Sequence, residues 1–157
     1  MSSAIEILIV EDNPDDLELT LYTLRKHQLA NHIEIARDGA EALDFIFATG
    51  NHTQRRIEDH PRVILLDLKL PKVNGLEVLQ RIRADPRTRS IPVVMMTASP
   101  EDRDMVESYN FGVNSYIVKP ANFVRFADAV RQVGFYWLLL NQPSPASRVA
   151  AQEGCSS

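Results

Sequence analysis

The stretch Val63-Ile64-Leu65-Leu66-Asp67-Leu68-Lys69-Leu70-Pro71, followed at a short distance by Gly75, decides the fold. Its aliphatic run is too short for a helix and carries no polar face, so it reads as a strand buried on both sides. Asp67 closes the strand, and Pro71 and Gly75 punctuate the loop after it. Leu76, Leu79 and Ile82 then recur at helical spacing up to Asp85-Pro86.

The same unit repeats in both directions. Upstream, Ile5–Val10 is another compact apolar run, closed by Glu11 and Asp12. Asn13 is a helix-capping residue, Pro14 suits a first helical turn, and Leu17, Leu21 and Leu24 follow at helical spacing. Ile33–Ala36 is a second short strand, Asp38-Gly39 a turn, and Leu43, Ile46 and Phe47 mark a second helix. A polar stretch from Thr49 to Arg62 leads into the strand at Val63. Downstream, Val93–Met96 is a fourth strand ending at Thr97. Ser99-Pro100-Glu101-Asp102 starts a helix expected to stop at Gly112. Ser115–Val118 is the fifth strand, followed by Lys119-Pro120, and a last helix is expected from Phe123 to about Leu140. Five buried strands alternating with helices predict an α/β fold, a doubly wound five-stranded parallel sheet covered on both faces. The expected domain spans residues 4–142. Pro, Ser, Ala and Gly dominate 143–157, which reads as a disordered tail.

Composition narrows the function. The 157 residues are 45% hydrophobic and 24% charged, as in a soluble globular domain. A net charge of -4 without a basic run argues against nucleic acid as a partner. No apolar run approaches the roughly 20 residues that cross a bilayer, and the N-terminus lacks the pattern of a signal peptide. The one cysteine, Cys155, cannot form an internal disulfide. Together these point to the cytoplasm.

In such a sheet, ligands bind beyond the carboxyl ends of the strands. Strand one delivers Glu11 and Asp12 there, strand three Asp67, strand four Thr97 and strand five Lys119. Each has an ordinary reading alone: a helix cap, a turn acid, a structural threonine, a loop lysine. Their common position at the carboxyl ends of four strands is what points to chemistry. Two carboxylates about 4 Å apart repel by about 4 kcal/mol at an effective dielectric near 20, so three need a cation or protons. Oxygen-only ligands favour a hard ion, Mg²⁺ or Mn²⁺, and His27, His32, His52 and His60 all fall away from the rim, which argues against zinc. A cation beside Asp67, with Lys119 opposite, suits a carboxylate that attacks a phosphoryl group.

The series Ile-Val-Glu-Asp, Leu-Leu-Asp-Leu-Lys-Leu-Pro…Gly, Met-Met-Thr-Ala-Ser and Tyr-Ile-Val-Lys-Pro resembles the response-regulator receiver family over about residues 4–140. The resemblance implies a flavodoxin-like (βα)5 fold with Asp67 as phosphoacceptor and Glu11 and Asp12 as the acidic pair for the metal. It implies further that Lys69 offers its backbone carbonyl to the metal, that Thr97 and Lys119 bind the phosphoryl oxygens, and that a cis peptide bond precedes Pro120. Tyr116 looks like the aromatic switch that turns inward when Thr97 moves. Asn-His-Ile-Glu-Ile-Ala-Arg-Asp-Gly, the long polar loop and the final Phe-Tyr-Trp-Leu resemble the small regulators paired with bacterial phytochrome histidine kinases. An aspartate-nucleophile phosphatase would carry an acid where Lys69 stands, and a phosphate-independent receiver would need none of the acid, Thr and Lys set.

Phe123, Phe126, Val130, Val133, Trp137 and Leu140 form one helical seam expected to pack on the sheet. From Val133 to Leu140 the helix is apolar almost all round, the pattern of an interface or of a face covered by the tail. The expectation is a homodimer through this helix, with output by protein contact.

Overall fold

A computed structural model describes residues 7–27 and 32–133, with the backbone alone for 130–133. The elements in chain order are β1 (Ile7–Val10), α1 (Pro14–Lys26), β2 (Ile33–Ala36), α2 (Gly39–Phe47), β3 (Val63–Asp67), α3 (Gly75–Ala84), β4 (Val93–Thr97), α4 (Pro100–Tyr109), β5 (Ser115–Val118) and α5 (Phe123–Val133). The apolar stretch 135–140, with Trp137 and Leu140, and residues 143–157 lie outside the described residues.

All strand pairs are parallel, in the order β2-β1-β3-β4-β5. Alternate residues of one strand enter opposite layers. Ile7 and Ile9 pack with Leu17 and Leu24 of α1 and Phe126 of α5. Leu8 and Val10 pack with Ile46 of α2, Leu79 and Ile82 of α3 and Val106 of α4. With helices on both faces, β1, β3 and β4 are buried along their whole length, which is why they read as unbroken apolar runs.

Local chemistry sets the helix ends. The Asn13 side chain accepts from the backbone N–H groups of Asp15 and Asp16, at 2.9 and 3.0 Å. Ser99 accepts from Asp102 N at 3.2 Å. Each cap contributes about 1 kcal/mol.

Two expectations need correction, on the end of α4 and on Phe123, and the polar stretch after α2 gains detail. α4 ends at Tyr109, short of Gly112, because Asn110 takes a left-handed conformation (φ 54, ψ 47) and closes the helix on Glu107 O. In the polar stretch after α2, Gly50–His52 forms a 3-10 turn. Arg55 locks it, its guanidinium lying over the Phe45 ring and donating to the carbonyls of Phe45 and Asp59. Phe123 does not join the core. It is partly exposed and stacks on His27 with ring centroids 4.0 Å apart, so the sheet-facing seam of α5 begins at Phe126.

Candidate functional site

Glu11 and Asp67 both stand one residue past the last β1–β3 pair, Val10 with Leu66. Sheet order reverses between β1 and β3, and there the two loops diverge and leave a crevice. Glu11 N donates to Ala36 O and Leu68 N to Met96 O, both at 3.0 Å, which fixes the backbone under both acids. Gly75 holds the loop after Asp67 tight. A Cβ there would come within 2.3 Å of Asp67 O, so no side chain fits this close approach.

The carboxylates of Glu11, Asp12 and Asp67 each offer an oxygen, and these oxygens lie within 4.8 Å of one another. Glu11 is fully buried, Asp67 nearly so, and Asp12 is exposed. At that spacing each charged pair repels by about 3 kcal/mol at an effective dielectric near 20. Burial, helped by the Asp67 charge, pushes the Glu11 carboxyl up to about 7 despite its hydrogen bond from Lys119. Burial also raises Asp67, while Lys119 pulls it down.

Lys119 reaches in from the end of β5, where its N–H donates to Thr97 O at 2.8 Å and the peptide bond to Pro120 is cis. Its ammonium lies 2.9 Å from Glu11 Oε1, 3.2 Å from Asp67 Oδ1 and 2.9 Å from Asp16 Oδ2. Burial works against its charge, but the hydrogen bonds to Glu11 and Asp16 prevail and hold its pKa above the ordinary lysine value.

Thr97 completes the rim. Its hydroxyl is buried and has no hydrogen-bond partner among the described residues. An orphan hydroxyl costs about 1–3 kcal/mol, so its retention beside the acids points to an acceptor arriving from outside. The donor set fits a hard divalent ion: three carboxylates, no imidazole and no thiolate.

Glu11, Asp12, Asp67 and Lys119 are brought together at the rim, with Thr97 at the end of the neighbouring strand β4. Lys69 sits two residues beyond Asp67, with its side chain turned to solvent 3.9 Å from Asp102. Tyr116 is half buried at the edge of the second core layer, with the Arg103 guanidinium 5.1 Å from its ring centroid. Sequence reasoning missed Asp16. The available signal was its position four residues after Asp12, in the first turn of α1, but an acid there reads equally well as complementing the helix dipole.

The response regulator receiver domain family matches residues 7–131, and the chain belongs to it. It is a signalling domain of the two-component type, whose members partner with sensor histidine kinases. Among solved structures it is similar to the bacteriophytochrome response regulator RtBRR, at 52% identity and a TM-score of 0.83, covering 92% of this chain and 87% of that one. The Mn²⁺-bound form of the response regulator Rcp1 from Synechocystis aligns at 34% identity and a TM-score of 0.66, over 85% of this chain and 92% of that one. A probable methanogenesis regulatory protein, FilR2 of Methanothrix harundinacea, is 40% identical over 141 residues, 89% of this chain and 88% of its own. The chain is thus a receiver-type response regulator related to those of phytochromes. No described helix is long and apolar enough to cross a membrane.

Proposed function

We propose that Asp67 is the phosphoacceptor of a two-component relay, with Mg²⁺, or Mn²⁺ in its place, held by Glu11, Asp12, Asp67 and the Lys69 backbone carbonyl. The observation that carries this reading is the meeting of three mutually repelling carboxylates with one ammonium and one orphan hydroxyl at a single crevice. A bound divalent ion would neutralise the acids and the charge of a transferring phosphoryl group.

The remaining work falls to the chain. An Asp67 carboxylate oxygen attacks phosphorus in line with the leaving group. For a phosphohistidine donor, the new O–P bond forms as the P–N bond breaks, and the imidazole leaves with the electron pair. Lys119, already 3.2 Å from Asp67, pairs with one phosphoryl oxygen, and the Thr97 hydroxyl donates to another. Drawing Thr97 inward opens space for the Tyr116 ring and alters the face formed by α4, β5 and α5. Hydrolysis of the acyl phosphate returns the site to its start.

The cognate kinase is a phytochrome histidine kinase on this reading, supported by the 52% identity to a bacteriophytochrome response regulator. The cytoplasm, where kinase and phosphodonor reside, is the compartment it implies. A homodimer through the last helix is part of the same proposal, and it rests on the apolar sequence from Phe135 to Leu140. Sedimentation of the wild type and Trp137→Glu would test it: weakened self-association is expected, and an unchanged or absent dimer would refute it.

The central test is intact mass after incubation with acetyl phosphate and Mg²⁺. Wild type gains one phosphoryl group and Asp67→Asn gains none. Full labelling of the Asn variant would overturn the assignment.

A further inference from the structure

Lys119 Nζ is shared among three carboxylates, and they are not equivalent. Glu11 and Asp67 belong to the acid cluster that fits a cation, and Asp16 does not. Asp16 lies in the first turn of α1, about a third exposed, and its Oδ2 accepts from Lys119 Nζ at 2.9 Å. The site holds four carboxylates against one ammonium.

Lys119 Nζ already lies 2.9 Å from Glu11 and 3.2 Å from Asp67, and with these two as its only partners it would take up the charge and lone pairs that a divalent ion needs, and ion and ammonium would repel. A carboxylate outside the cluster resolves that conflict. We propose that Asp16 is a positioning residue that holds the Lys119 ammonium to one side of the acid cluster, so that a divalent cation and the lysine occupy the rim together. The idea rests on the function proposed above, for it presupposes the cation site. It also gives Asp16 a use beyond the helix dipole, a use its neighbour Asp15 does not share: Asp15 is exposed, carries the same charge on the same turn, and contributes only its backbone N–H, to the Asn13 cap.

Substitution should leave the helix start intact, since Asn13 is bound by the backbone N–H of Asp16 and not by its side chain. Three variants decide the matter by Mg²⁺ titration followed by NMR, together with the Lys119 side-chain signals of the metal-free protein. Asp16→Asn should move the Lys119 signals and weaken Mg²⁺ binding about three- to fivefold, the range expected when one partly exposed ion pair is lost. Phosphorylation by acetyl phosphate should slow at low Mg²⁺ and recover at saturating Mg²⁺. Asp16→Glu should restore much of the affinity, and Asp15→Asn should bind like wild type. Equal Mg²⁺ affinity in Asp16→Asn and wild type, an unmoved Lys119, or an equal loss in Asp15→Asn would each overturn the proposal while leaving the phosphoacceptor reading standing. A wild type that binds no Mg²⁺ would overturn both.

Discussion

The two ends of the sheet handle charge in opposite ways. At the amino ends of β4 and β5, the Arg83 guanidinium donates from Nε and one terminal nitrogen to Gly112 O, at 3.1 and 2.7 Å. Its other bonds go to Arg89 O, Ile91 O and Asn114 Oδ1, at 3.0, 2.7 and 2.9 Å. All five guanidinium donors are used, and every acceptor is neutral. At the carboxyl ends, carboxylates crowd one ammonium and Thr97 keeps a buried hydroxyl without a partner. One end is satisfied and ties α3 to the approaches of two strands. The other is left incomplete, and incompleteness is what makes a ligand welcome.

That contrast can be broken by mutation. The largest effect on stability is expected at the satisfied end. Arg83→Ala strands several carbonyls and the Asn114 amide oxygen, and should cost about 2 kcal/mol. Denaturant unfolding measures it, and Mg²⁺ affinity should be unaffected. A neutral Arg83→Ala would show the network to be ornament.

A smaller change, of the opposite sign, is expected at Thr97. Thr97→Val replaces an unpartnered hydroxyl by a methyl of similar shape, so the unphosphorylated protein should gain up to about 1 kcal/mol. It should also lose the response of Tyr116 to phosphorylation, seen as an unshifted ring signal by NMR. A destabilised Val variant would mean that the hydroxyl already has a partner.

Much of this was legible in the sequence, and the reason is geometric. In a parallel sheet every strand's last residue reaches the same edge, so Glu11, Asp67, Thr97 and Lys119 could be assembled by counting strand ends. The core of β1, β3 and β4 was equally plain, because strands buried on both faces show no polar alternation. What stayed hidden depends on side-chain reach. Asp16 meets Lys119 across 103 positions of sequence, and Arg83 meets Gly112 across 29. Neither pairing leaves a periodic trace. Phe123 misled because helical spacing gives a residue's face but not where the helix starts to touch the sheet; its ring stacks on His27 instead. The early end of α4 turned on the backbone of Asn110, a residue that tolerates the left-handed region almost as glycine does.

In a rim proposed to hold a cation, the crowded acids should destabilise the metal-free fold and be relieved by the ion. Glu11 makes the sign definite. Its carboxyl is pushed up to about 7 in the folded protein from an ordinary value of 4.5, so between those values the folded state holds more protons than the unfolded one. Metal-free stability should therefore fall as pH rises through that window, being highest below it and lowest above it. Equilibrium unfolding of wild type and Asp67→Asn near pH 7.5, with and without Mg²⁺, is the most direct test. Metal-free Asp67→Asn is expected to be the more stable of the two by about 1–2 kcal/mol, having lost one repelling charge. Mg²⁺ is expected to stabilise wild type by about 3 kcal/mol at a hundredfold excess over its Kd, while the Asn variant responds weakly. An Asn variant less stable than wild type that still responds fully to Mg²⁺ would contradict the proposed cation site.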